Sequence, residues 1–122
     1  MIRLKRAYEV PSEEDGTRVL VERLWPRGLT KEKAAIHIWI RDVAPSPELR
    51  KWYAHDESKW DEFRSRYRAE LEGDHADIQK LMELESKGDI TFILAAKAPE
   101  HSSAAVLRDY IRSIQAPSKQ EQ

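Results

Sequence analysis

RVLVERLWPRGL, residues 18–29, reads as an apolar strand that runs into a charged, proline-stopped corner. From Val19 to Trp25 the apolar side chains fall on both alternating faces, Val19, Val21 and Trp25 on one and Leu20 and Leu24 on the other. That is how a strand covered on both sides is written. Glu22 and Arg23 interrupt the run near its exit, and Arg27 follows Pro26 at once. A charge in a buried strand costs several kcal/mol unless it is paired or beside water, so this crowding predicts a ligand-facing rim at the strand's C-terminal end.

Working outward, IRLKRA at 2–7 alternates Ile2 and Leu4 with Arg3 and Lys5, a short first strand with one wet face, suited to a sheet edge. EVPSEEDGT, with Pro11, three consecutive acids and Gly16, has room for one helical turn at most. A parallel pairing normally needs a crossover of a dozen or more residues, so spacing leaves the mutual direction of the first two strands open. After the corner, Gly28 supplies a backbone angle that other residues resist, and Thr30 can cap a short helix over TKEKAA. IHIWIRDVA, 36–44, has the period of two of a half-buried strand, although its length also permits a helix.

Three helices follow. Ser46 stands in the cap position of APSPELRKWY with Pro47 and Glu48 in the first turn and Leu49, Trp52 and Tyr53 as the inner stripe. His55 and Asp56 break it, and a helix over 58–72 carries Trp60, Phe63, Tyr67 and Leu71 on one line before Gly73. Asp74 or Asp77 then caps a helix with Ile78, Leu81, Met82 and Glu85 on one line, closed by Gly88. Residues 90–96 form the most apolar run of the chain and predict the central strand. Lys97, Pro99 and His101 form a loop, and Ser102 or Ser103 caps a last helix with Leu107, Tyr110, Ile111 and Ile114 inward. The domain is expected over 1–115, with 116–122 as a loose polar tail.

At 122 residues and 14.3 kDa the chain fits one domain. Absence of cysteine removes thiol nucleophiles and thiolate metal sites, and fits a reducing, cytoplasmic setting. No stretch approaches the roughly 20 apolar residues of a membrane helix. Charged residues are 35% of the chain, yet 21 basic and 22 acidic side chains nearly cancel, so nucleic acid is a less favoured partner than a small anion. The four tryptophans, at 25, 39, 52 and 60, suit core and helix packing better than a stacking surface.

Two apolar runs end alike in small residues, proline and bases, LWPRG and AAKAPEHSS. In an open α/β sheet the carboxyl ends of parallel strands border the ligand crevice. If these strands are parallel neighbours, Arg23, Arg27, Lys97 and His101 converge beside the last helix's N-terminus, where free N–H groups favour an anion. Trp25, Ser102 and Ser103 join them as ligand contacts. Lys97 and His101 are the candidate catalytic groups, Lys97 for developing negative charge and His101 as acid or base. Each has an ordinary structural alternative: Arg23 paired with Glu22 or Asp42, Lys97 simply exposed, His101 closing the helix start, and the serines capping. His55 with Asp56 and Asp74 with His75 match no metal signature, and no glycine-rich phosphate loop is present. Neither a metal nor a cofactor is expected.

RVLVERLWPRGLTKEKAAI, IRDVAPSPELRKWYAHDESKWDEFRSRYRAEL and LAAKAPEHSSAAVLRDYI together resemble the YeaO-like branch of the bacterial domain-of-unknown-function family 488, over about residues 1–115. The resemblance implies a single compact α/β domain with a mostly parallel β-sheet flanked by helices, and so parallel first and second strands. It also implies a cysteine, histidine and arginine cluster after the late strand, where this chain has His101, Ser102, Ser103 and Ala104. Thiol chemistry of distant relatives therefore does not carry over. The functional expectation is a small hydrolase or group transferase for an anionic or phosphorylated ligand; the competing one is a non-catalytic module for nucleic acid or a protein partner.

Overall fold

The run at 90–96 sits at the centre of the sheet, with a strand on either side of it. A computed structural model, which describes residues 1–115, contains β1 (Ile2–Arg6), β2 (Thr17–Leu20), β3 (Ile38–Trp39) and β4 (Ile90–Leu94) in the spatial order β1-β4-β2-β3. Every pairing is parallel, with Ile2 opposite Ile90, Leu20 opposite Ile93 and Leu20 opposite Trp39. The tail expected over 116–122 lies outside the described residues. The helices are α1 (Lys31–Ala34), α2 (Pro47–Tyr53), α3 (Trp60–Glu72), α4 (His75–Ser86) and α5 (Ser103–Gln115). None is long and apolar enough to cross a membrane.

The pleat sends alternate side chains to unequal layers. Ile90, Phe92 and Leu94 of β4 and Val19 of β2 face one core, which Leu49, Phe63, Tyr67, Leu71, Leu81, Leu107 and Ile111 close from α2 to α5. Ile93 and Leu20 face the other side with Ala7, covered by Trp25, Leu29, Ile36 and Trp39 from loops and the edge strand. All four tryptophans are half-buried and packed, as expected, with Trp25 edge-on to Trp39 at 5.7 Å. Capping follows the sequence: the Ser46 Oγ accepts the Leu49 N–H at 3.1 Å, the Thr30 Oγ1 that of Lys33, and Asp74, rather than Asp77, caps α4. Ile114 is the exception on α5, 47% exposed beyond the last helical turn that meets the core.

Three strands are shorter than their apolar patterns, β4 among them, since it ends at Leu94 and not at Ala96. β2 ends at Leu20 rather than running to Trp25, because the chain leaves β4 there: the Ala95 N–H is taken by the Glu22 side chain, Oε1 at 3.0 Å, and not by a backbone carbonyl. Val21 stays buried in the main core without pairing. β3, expected over 36–44, is limited to Ile38–Trp39, since an edge strand pairs only where its neighbour is still extended, and a 3₁₀ turn over Arg41–Val43 follows.

The short link between β1 and β2 carries one 3₁₀ turn, Glu13–Asp15, capped by Ser12. Its strands reach parallel alignment because β4 lies between them and Asp15 ties all three. The Asp15 carboxylate takes Lys5 Nζ of β1 at 3.0 Å and Arg18 Nη1 of β2 at 2.6 Å, while its carbonyl accepts the Thr91 hydroxyl of β4 at 2.7 Å. Burial pushes the Asp15 carboxyl up, but the Ser12 N–H and the two cations outweigh it and its pKa falls below the usual carboxylate value. A depressed folded-state pKa gives stability that is present above the unfolded value and lost as pH falls through the folded one. Asp15→Asn is accordingly expected to cost roughly 3 kcal/mol at pH 7. Its deficit against the parent should narrow below about pH 4, measured by urea unfolding at stepped pH.

Candidate functional site

Beyond Leu20 and Leu94 the diverging chains open a cleft of about 640 Å³ over the C-terminal ends of β2 and β4. This is the crevice position of an open parallel sheet. Its floor is Glu22 and Ala95, one wall is the 23–27 corner, and the opposite walls come from α2, the start of α3 and the start of α5. Glu22 is held by its own backbone, whose carbonyl accepts the Trp39 indole N–H at 2.6 Å. Burial raises its carboxyl pKa, against the opposing pull of the Ala95 N–H and the nearby positive charge of Arg50.

The expected convergence is partial. Arg23, Trp25, Arg27, His101, Ser102 and Ser103 all line the cleft; Lys97 is exposed in the loop and does not. Arg23 is anchored by Asp42 at 3.5 Å and by the Ala44 and Pro45 carbonyls at 3.3 and 3.4 Å. Its Nε is buried and, among the described residues, unpaired. The ion pair with Asp42 that the sequence allowed is therefore present, on a side chain that also fronts the cleft. Arg27 is exposed and forms no ion pair among the described residues; its carbonyl accepts the Tyr8 hydroxyl at 3.1 Å. Trp25 donates its indole N–H to the Leu29 carbonyl at 2.8 Å, which fixes the corner.

His101 stacks on Trp60 with ring centroids 5.0 Å apart and planes 5° from parallel, and its Nδ1 lies 3.3 Å from Glu57 Oε2. The Ser102 Oγ is engaged as a cap, donating to the Pro99 carbonyl at 2.5 Å and accepting the Ala105 N–H at 3.4 Å. The capping role that sequence order favoured over a nucleophile is what its contacts give.

Sequence order passed over most of the lining. Arg50 and Lys51 approach from α2 and Tyr53, Trp60 and Phe63 form an aromatic wall, with Tyr53 stacked on Phe63 at 4.4 Å. Their signal was the pattern ELRKWY, in which Leu49 turns inward and Arg50 and Lys51, next along the helix, turn outward. Of 21 basic and 22 acidic side chains in the chain, the lining takes Arg23, Arg27, Arg50 and Lys51 against Glu22 alone. No group of three or more His, Asp or Glu side chains among the described residues could hold a metal ion.

A family model, DUF488-N3i, described as the inactive DUF488-N3 subclade, matches residues 1–122. The chain belongs to that family. Similar proteins include an uncharacterized protein of Mycobacterium tuberculosis, 44% identical over 106 residues, covering 87% of this chain and 89% of the relative. The uncharacterized protein YeaO of Escherichia coli is 36% identical over 113 residues, covering 93% of this chain and 98% of YeaO. No solved structure matches this DUF488-N3i chain. Membership bears out the resemblance read from the WPRG corner and the two helical motifs, and the parallel α/β sheet bears out the fold it implied.

Proposed function

We propose that this protein binds an anionic, phosphate-bearing small molecule in the cleft over β2 and β4, and that it holds the ligand without turning it over. The charge segregation carries this reading: four cations against one carboxylate in a chain that is otherwise balanced. The start of α5 stands at the same rim through Ser102 and Ser103. A cleft of about 640 Å³ also falls in the size range of small-molecule sites, roughly 300–1,000 Å³.

Binding without catalysis is favoured over hydrolysis or transfer because the groups expected to react, Lys97, Ser102 and His101, stand outside the cleft or are engaged. Lys97 stands outside the cleft, the Ser102 hydroxyl is committed to the helix start, and His101 is pinned between Trp60 and Glu57. The family's own description, an inactive subclade, agrees with that. Arg23, Arg27 and Arg50 would meet the phosphate, with Trp25, Ser102 and Ser103 around it.

Titration calorimetry with pyrophosphate and ribose 5-phosphate tests this. Binding is expected, weakening as salt rises, and Arg50→Ala should reduce affinity about fivefold, a loss of ~1 kcal/mol. Arg50 is exposed, so the melting temperature should hold. No heat from either compound at low salt would end the proposal, and steady release of phosphate would end its non-catalytic half.

A further inference from the structure

We infer that Glu22 reads an N–H donor on the ligand, and that the cleft takes a nucleoside phosphate, with the base in the aromatic half and its N–H groups on the Glu22 carboxylate. This rests on the anion-binding reading of the same cleft and specifies the rest of the ligand. Glu22 is a lining residue at the floor, its backbone fixed through Trp39 and its Oε1 through Ala95. Its Oε2 accepts no hydrogen bond among the described residues and is not closed off from the cleft. A half-buried carboxylate with an open oxygen is an acceptor placed for a donor.

The surroundings decide which donor. An ammonium group would have to enter beside Arg23, Arg27, Arg50 and Lys51, against four like charges. A neutral N–H meets no such repulsion, and Glu22 can accept it while the cations hold a phosphate on the same molecule. The cleft is also walled by aromatic side chains, Tyr53, Trp60 and Phe63, whose rings pack against one another. A planar ring bearing N–H groups fits those two demands, and joined to a phosphate it is a nucleotide.

Glu22→Gln separates this from simple anion binding. The carboxylate can accept from Ala95 and from a base at once, whereas the amide presents one oxygen and one NH₂, so a donor is left facing a donor. Calorimetry would compare the four ribonucleoside monophosphates with ribose 5-phosphate, on the parent and on Glu22→Gln. In the parent at least one nucleotide should bind about tenfold tighter than ribose 5-phosphate. In the variant that preference should shrink at least fivefold, while ribose 5-phosphate binds as well or more tightly because a negative charge has left the cleft. Burial disfavours the ionised Glu22, so the variant's melting temperature at pH 7 should be equal or higher, which separates lost binding from lost folding. If ribose 5-phosphate binds and no nucleotide binds better, or if Glu22→Gln weakens both alike, the role given to Glu22 is wrong and the anion site stands. If nothing binds, both fail together.

Discussion

Gly16→Ala should be among the most damaging single-methyl changes in the protein, costing about 3 kcal/mol or more. Gly16 sits at φ +62° and ψ −137°, a region that only glycine occupies readily. A Cβ built there would lie 2.1 Å from the Asp89 carbonyl oxygen and 2.8 Å from its carbon. That oxygen cannot retreat freely, because it accepts the Thr17 N–H at 3.1 Å, the bond that starts the pairing of β2 with β4. Strain and clash therefore act at the same place, on the register of the two strands that carry the cleft. Gly28→Ala is the control: it also has positive φ, +83°, but nothing lies within 4 Å of the added Cβ, so it should cost about 1 kcal/mol from backbone strain alone. Urea midpoints for the two variants decide the matter. A Gly16→Ala loss no larger than that of Gly28→Ala would mean that the strand start can shift, and that the parallel pairing is less constrained than its geometry implies.

The elements that the sequence made legible are those in which local signals agree. Ser46 with Pro47, Phe63 with Tyr67 and Leu71, and the apolar run at 90–96 each state one structure in two or three ways at once, and each is found, the last as a strand over Ile90–Leu94. Strand ends were less legible because they depend on the neighbour. Nothing in VLVERLW says that pairing stops after Leu20; it stops because Glu22 uses its side chain where the ladder would need a backbone carbonyl. The β1–β2 crossing was hidden for a related reason. Among Glu13, Glu14 and Asp15 only Asp15 is buried, and which of three adjacent acids turns inward is set by Lys5 and Arg18.

The cleft divides in the same way. Its strand-end residues, Arg23, Arg27, His101, Ser102 and Ser103, follow from the rule that parallel strands open at their carboxyl ends. Arg50, Lys51 and Tyr53 come from a helix whose angle over the sheet is a matter of packing, and packing angles have no short sequence signature. Glu22 was visible as an oddity in an apolar run, yet its place on the floor depended on β2 ending early.

Arg18→Met is the second large expected loss, about 3–5 kcal/mol, against a total stability of roughly 5–15 kcal/mol for a domain of this kind. Arg18 is buried on β2, and its guanidinium makes three bonds: Nη1 to Asp15 at 2.6 Å, Nε to the Ala35 carbonyl at 3.0 Å and Nη2 to the Ala34 carbonyl at 2.8 Å. Methionine fills most of the volume and satisfies none of them. The end of α1 loses its tie to the sheet, and the Asp15 carboxylate keeps Lys5 as its one cation, beside the Ser12 N–H. Adding Asp15→Asn should return part of the loss, since the undercompensated charge goes with it, so the two changes together should cost less than their sum by 1 kcal/mol or more. Arg18→Lys keeps the charge but cannot span a carboxylate and two carbonyls with one ammonium group, and an intermediate loss of about 1–2 kcal/mol is expected. The order parent, Lys, Met in urea midpoint, with positive coupling to Asp15, is the signature of a buried tie that closes a crossover too short to close itself. Strict additivity of Arg18→Met and Asp15→Asn would show instead that Arg18 acts through α1 alone, and the β1–β2 link would need another explanation.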